Sequence, residues 1–554
     1  MEKVWKPEPQ LLECLVSAVP DMLSSQKENG QFGTEPWCCQ DQNVLLSLAA
    51  AWALEKSPYQ HNPEVLNAIV GGGDALIEAQ DEQGMWTFRK KDYSTWGQIL
   101  MPWTYSRWIR AYHLVRDAMS DDARARWEQA LLLGFEAISK TALHRIHNIP
   151  AHHAMGLYCA GIVFEREDWK AQAQTFLGKV VETQSPYGWW SEHVGPVVGY
   201  NFVYSEALGV YYDLSGDERV LPALERAARY HAGFTYPDGS SVETVDERNP
   251  YHSGVRLGNP GFCHTPAGRG YLKQQHALHL KAGKRFDADY AAGLLLYGGE
   301  GPIEETAAAR DRHTYRMGDQ ALVVRRRPWF LNLSAFVCEP PDNRWIQDRQ
   351  NLVSVFHDRT GLIVGGGNTK LQPLWSTFTV GDPSLLKHIP GDEDPDFHPT
   401  GFLLHVPDHA SIREEEDTPG LNLRYGPETC GVTLVPRSDT ELNLIYEATT
   451  TSGRPVEAHI TLIPHLDRPL RMASGEQIRL GEEPLAWSAD GDGSWIEHAG
   501  WRLSLPRGAR VIWPVLPHNP YRKAGEATIE EARLIVALPF SPMISRYEVT
   551  LDIL

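Results

Sequence analysis

The densest set of groups able to bind an anion or move a proton is the run His144-Arg145-Ile146-His147-Asn148-Ile149-Pro150-Ala151-His152-His153. Pro150 suits the first turn of a helix, so this run sits at a helix mouth, where unpaired backbone N–H groups and positive potential favour an anion. Several imidazoles in ten residues also invite a metal. The helical zinc pattern, His at i and i+4 with Glu between, is absent, so no metal is assigned. An acid–base or carboxylate-recognition role and plain solvated or core-bonded histidines are the other readings.

A second constellation runs from Tyr187 to Tyr204 and holds Trp189, Trp190, Glu192 and His193 in a Gly-rich lead-in to a helix. Tyr200 and Tyr204 are four residues apart and share a helical face, as a core-packed pair would too. A third stretch, Tyr236 to His252, carries Glu243, Asp246 and Arg248, and continues irregularly to His264 and Arg269. So long a stretch without a regular period suggests a functional loop, or a salt-bridged surface loop.

Two kinds of element must position these groups. Up to about residue 300, apolar residues recur near the 3.6 period in segments 9–26, 41–56, 63–80, 96–117, 122–142, 149–164, 168–185, 202–215, 218–233, 270–283 and 285–297. From about residue 311 the period is two: 321–325, 329–333, 352–356, 362–364, 459–463, 501–505, 532–538 and 547–551 read as strands with no helices between them. The expected fold is therefore multidomain: an incomplete α/α toroid over 1–310, then an antiparallel β-sandwich over 311–554.

Composition narrows the function classes. The chain has 554 residues and a net charge of −19, which disfavours general nucleic-acid binding. No run approaches the ~20 apolar residues that span a bilayer, and the start lacks a signal-type apolar core, so a cytoplasmic protein is expected unless a leader was removed. The seven cysteines form no Cys-x-x-Cys pair, which argues against a thiolate zinc site; adjacent Cys38 and Cys39 are redox-active or, more simply, buried thiols. The 18 tryptophans cluster beside polar residues, as flat amphipathic ligands such as sugar rings require.

With these residues in place, the chain resembles the heparinase II/III-like and alginate-lyase-like polysaccharide lyases. The resemblance covers the toroid-plus-sandwich architecture and two short motifs. His147-Asn148 stands where that family opens a toroid helix with an Asn that binds the uronate carboxylate. Tyr200 stands where it places a catalytic Tyr in a Gly-rich aromatic segment. The order His then Asn, with Pro150 behind, and the lead-in Val194-Gly195-Pro196-Val197-Val198-Gly199 depart from the family pattern.

The resemblance implies β-elimination on an acidic poly- or oligosaccharide. The proton α to a uronate carboxylate is too weakly acidic until donors aimed at that carboxylate stabilise the enolate. Asn148 with His147 or His152 would supply them, with Tyr200 and His252 as proton carriers. His153, Trp189, Trp190, Tyr204, Arg248 and Arg269 complete the expected substrate contacts. No cofactor is expected. Relatives that hold zinc in the sandwich make His357, Asp358, His388, His398 and His405 the available ligands. Two other classes remain: a glycoside hydrolase using Glu192 with Glu243 or Asp246, and a non-catalytic sugar binder. Oligomeric state is open.

Overall fold

The computed structural model describes residues 4–7, 9–306, 309–415, 418–491 and 493–554. The chain divides into two units. The first comprises Met1–Glu192, Gly199–Tyr230 and Arg256–Thr306; the second comprises His193–Val198, His231–Val255 and Ala307–Leu554.

Eleven α-helices are found among the described residues. They are α1 (Pro9–Ser24), α2 (Val44–Ala53), α3 (Pro63–Ala79), α4 (Pro102–Val115), α5 (Asp121–Thr141), α6 (Asn148–Val163), α7 (Glu167–Glu182), α8 (Val198–Ser215), α9 (Leu221–Gly233), α10 (Pro266–Lys281) and α11 (Ala288–Tyr297). Local signals set their starts. Asn62 accepts from the N–H groups of Glu64 and Val65 ahead of Pro63, Ser120 caps α5, and Thr265 accepts from Gly268 N ahead of Pro266.

The first unit is two-layered. α2 packs on α4 and α4 on α6, while α3 packs on α5; α11 returns to α1 and α2. Burial separates the layers. α4 and α6 are enclosed nearly all round, whereas α5 and α7 bury one stripe, such as Trp169, Ala173, Phe176, Leu177 and Val180 on α7.

One expected helix is shortened. Residues 95–99 form a strand paired antiparallel with Trp86–Arg89, and the helix begins only at Pro102. Trp96, Leu100 and Trp103 fit a helical spacing, but Pro102 suits a first turn rather than an interior.

The second unit stacks two antiparallel sheets, of eleven and nine strands among the described residues. Their facing side chains form one core, including Trp329, Phe378, Leu421, Val432, Leu444, Ile460, Leu503, Val536 and Val549. Trp501–Leu505 and Arg546–Ile553 alternate buried and less buried residues, as period two demands. Trp329–Ser334 and Val353–His357 are buried on both faces. The chain segment 231–255 covers the second face. Tyr236 stacks on Phe356 (centroids 5.2 Å, 10°) and meets Phe330 edge-on, and its hydroxyl lies 2.7 Å from Ser354 Oγ. The nine-stranded sheet also holds Thr418–Tyr425, Glu428–Pro436 and Glu441–Ala448, which are not among the strands expected from alternation.

All seven cysteines are free. Burial pushes the Cys39 thiol up to about 12, so the Cys38-Cys39 pair is poorly suited to thiolate chemistry. Among the described residues no helix is long and apolar enough to cross a membrane.

Candidate active site

His147 is the extended residue ahead of α6, and Asn148 is the first residue of that helix. The Asn148 side chain is 7% exposed, and its Nδ2 donates to Glu192 Oε2 at 2.6 Å. His147 Nδ1 lies 3.6 Å from the same carboxylate oxygen. Glu192 is itself buried, with its Oε1 lacking a hydrogen bond. Three polar groups therefore meet at the mouth of α6, as the helix N-terminus invites.

The segment that carries Glu192 is fixed by Asn201, in the first turn of α8. Trp190 N donates to Asn201 Oδ1 (2.8 Å), and Asn201 Nδ2 donates to Trp190 O (3.3 Å). The Trp190 indole is buried, donates to Val180 O (2.7 Å) and stacks on Tyr204 (5.0 Å, 17°). Tyr204 is enclosed beneath it. Burial first, then the Glu192 charge, raises its phenol above the ordinary tyrosine range, so it stays protonated. Tyr200, one turn earlier, is half-buried.

The remaining expected residues of the first unit are differently placed. His152 is fully buried, 3.5 Å from Glu206 Oε2, with its pKa lowered by burial against the pull of Glu206. His153 Nε2–H donates to Leu100 O (2.7 Å), and burial brings its pKa down to about 4. Arg269 is buried and donates to the carbonyls of Pro302 (2.8 Å) and Cys263 (2.7 Å). Trp189 is half-buried. Asn148, His147 and Tyr204 thus gather on Glu192, with Trp190 stacked on Tyr204, whereas the His152, His153 and Arg269 rings and guanidinium are engaged inside the helical layers.

In the second unit, segment 193–198 is held by two carboxylates. Glu247 accepts from His193 N and Val194 N (both 3.1 Å), and Asp246 accepts from Val198 N (2.8 Å). Burial pushes the Glu247 carboxyl up to about 7, opposed by Arg349 at 3.6 Å. Gly195 leaves room for this guanidinium: a Cβ on it would stand 2.3 Å from Arg349 Nη2, so Arg349 would have to shift. Arg248 lies over the rings of Trp345 (5.2 Å) and Tyr521 (5.6 Å). His252 is exposed and lines a cavity of about 440 Å³ with Tyr251, Ser253 and Arg533.

Glu243 and Asp246, the partners considered for Glu192 in hydrolysis, are engaged as acceptors. Glu243 takes Gly366 N (2.9 Å) and the Tyr236 hydroxyl (2.9 Å), and Asp246 takes Arg248 N and Asn249 N besides Val198 N. Three of the zinc candidates, His357, His388 and His405, have ring nitrogens engaged within the protein. His357 Nε2–H donates to Asp439 O, and His388 Nε2–H to Ala524 O. Asp348, the carboxylate beside His405, already takes Lys370 Nζ at 2.9 Å. Among the described residues no three His, Cys, Asp or Glu groups converge on a metal position.

Sequence reasoning passed over Glu192 as a partner of Asn148, Glu206 as the partner of His152, and Glu247 as the clamp on His193. Only Glu192 had a signal, its place in the aromatic segment next to His193.

No protein-family model and no curated protein matches the sequence. Solved structures do. Heparinase III superposes with a TM-score of 0.56 at 12% identity, covering 99% of this chain and 85% of that one. A chondroitin AC lyase mutant from Streptomyces coelicolor A3 gives 0.53 at 14% identity, covering 99% and 80%. A chondroitinase AC lyase gives 0.53 at 11%, covering 98% and 82%. In fold, this chain is similar to the helical-toroid and β-sandwich polysaccharide lyases.

Proposed function

We propose that the chain is a carbon–oxygen lyase that cleaves a uronate-containing poly- or oligosaccharide by β-elimination. The observation that carries this reading is the amide of Asn148, held at 2.6 Å by a buried carboxylate at a helix mouth and flanked by His147. Solved structures of the same fold named for heparin and chondroitin support an acidic substrate.

The chemistry follows from the residues. The second Nδ2–H of Asn148, the His147 imidazole and the α6 N-terminus face a uronate carboxylate and stabilise the charge that moves onto it as the α-proton leaves. The electrons of that C–H bond form C4=C5, and the C4–O bond to the neighbouring sugar breaks. Tyr200 is assigned both proton transfers, taking the C5 proton and returning it to the leaving oxygen. Tyr204 is held protonated and packed, so it serves as the floor under this segment rather than as the base.

A panel of uronate polysaccharides, followed by ultraviolet absorbance of the conjugated product, tests the proposal. Absorbance growing in step with new chain ends supports it. New reducing ends without absorbance would identify a hydrolase instead.

A further inference from the structure

The turn end of the β-sandwich carries a cationic cavity that the proposed elimination does not use. It has a volume of about 460 Å³ and is built where the turns at 358–361, 463–469 and 498–501 converge. Arg359, Arg468 and Arg471 line it, with His465 and His498. Their charge is only partly matched. Arg471 and Arg502 share the single Glu497 carboxylate, at 3.2 and 3.0 Å. Arg468 pairs at 3.4 Å with its own exposed neighbour Asp467. Arg359 donates to the backbone carbonyl of Ile553 at 3.4 Å. Three guanidinium groups thus line the cavity beside two carboxylates, Asp467 and Glu497, and Glu497 is shared with Arg502 outside it, on a chain whose net charge is −19. An acidic chain that gathers a cationic surplus at one cavity has a local preference for anions.

The cavity does not end there. Thr360 and His465 also line the neighbouring cavity of about 440 Å³, so the two adjoin. The character changes across that shared edge. The second cavity presents Asp238, Glu530, Glu531, Tyr251 and Ser253, groups that pair with hydroxyls, beside His252 and the single guanidinium of Arg533. The Thr360 hydroxyl, at the junction, is buried without a hydrogen bond. A guanidinium wall followed by a wall of carboxylates and hydroxyls matches a chain molecule that carries both anionic groups and free hydroxyls.

We propose that this end of the sandwich is a saccharide-binding site in its own right, taking an acidic oligosaccharide. Its carboxylate or sulfate groups sit on the Arg359, Arg468 and Arg471 wall, and its sugar hydroxyls in the adjoining cavity. The saccharide class rests on the proposed lyase function; the requirement for an anion rests on the arginines. Planar guanidinium forks suit carboxylate and sulfate equally, so both groups are probed.

The test is fluorescence anisotropy with three labelled hexasaccharides: an unsulfated uronate chain, a sulfated one, and a neutral one of equal length. The wild-type chain is compared with the triple variant Arg359→Gln, Arg468→Gln, Arg471→Gln. Glu497 keeps Arg502 in that variant, so folding is expected to persist, and a melting curve checks it. The expected result is affinity for an acidic hexasaccharide reduced about ten-fold or more, with a shallower salt dependence and unchanged turnover of a short substrate. Wild-type affinity in the folded triple variant overturns the proposal, as does equal wild-type binding of the neutral hexasaccharide. If the triple variant unfolds, the single variant Arg359→Gln, expected to weaken binding in the same direction, decides by the same criteria. Binding is read without turnover, so a chain that loses acidic-saccharide affinity in the variant yet cleaves no uronate polymer keeps this site and forfeits the lyase reading.

Discussion

Asn148 and Glu192 stand 44 residues apart in the chain, yet their side chains meet at 2.6 Å in a setting almost closed to water. The bond fixes which edge of the Asn148 amide faces the carboxylate and which N–H is left over. A short bond to a charged acceptor is among the stronger kinds. It makes Glu192 the residue that orients the candidate recognition amide.

Asn148→Ala removes that amide. Turnover is expected to fall about 10²–10³-fold, the loss usual for one preorganised donor. Glu192 would also lose its partner in a buried place, at a cost of about 1–3 kcal/mol. The melting temperature should therefore drop by several degrees while the chain stays folded. Uronate cleavage followed by ultraviolet absorbance, beside a melting curve, separates the two effects; near-wild-type turnover would remove Asn148 from the chemistry.

Glu192→Gln keeps the shape and removes the charge. A glutamine both donates and accepts, so the Asn148 amide can turn over. kcat is expected to fall more than KM rises, because the substrate still fits but the donor is no longer held in place. Glu192→Asp should restore little, since the shorter side chain cannot reach 2.6 Å without moving the segment fixed by Asn201. Equal kcat in wild type and Glu192→Gln would count against the orienting role.

Tyr200→Phe and Tyr204→Phe separate the two phenols of α8. Tyr204 is packed on Trp190 and kept protonated, so loss of its hydroxyl should leave the elimination rate within a few-fold of wild type. Tyr200→Phe should lower it by about 10²-fold or more, the usual contribution of a positioned proton carrier. The opposite pattern would move the proton carrier one helical turn along α8.

His153 makes stability depend on pH. Its folded pKa is about 4, below the ordinary 6.5. The unfolded chain therefore binds a proton that the folded chain refuses between those values. This contribution is fully present above pH 6.5 and is lost as pH falls through 4. The shift corresponds to about 3 kcal/mol at most. Melting temperatures between pH 7 and pH 4 should fall, and less steeply in His153→Gln. An unchanged slope in that variant would show that His153 carries a proton in the fold.

The sequence by itself marked a helical stretch followed by a stretch of strands, because helical and strand periods are local. Spacing of 3.6 marked ten of the helices closely, and Pro150 behind His147-Asn148 placed the mouth of α6. Alternation found Trp501–Leu505 to the residue. Pairing is not local, and there only the tertiary structure decided. Residues 231–255 precede the change of period, yet they belong with the sandwich, because Tyr236 fills the face of Phe330 and Phe356. Trp190 and Arg269 have types suited to a sugar or a carboxylate, but packing against Tyr204 and the carbonyls of Pro302 and Cys263 encloses them. Glu192 reads as one acidic residue in an aromatic loop. It acquires its partner only when Asn201 pins Trp190 beside the first turn of α8 and so brings that loop to Asn148. A side chain's type limits the chemistry it can do; burial and partners, set by residues far along the chain, select which of it remains.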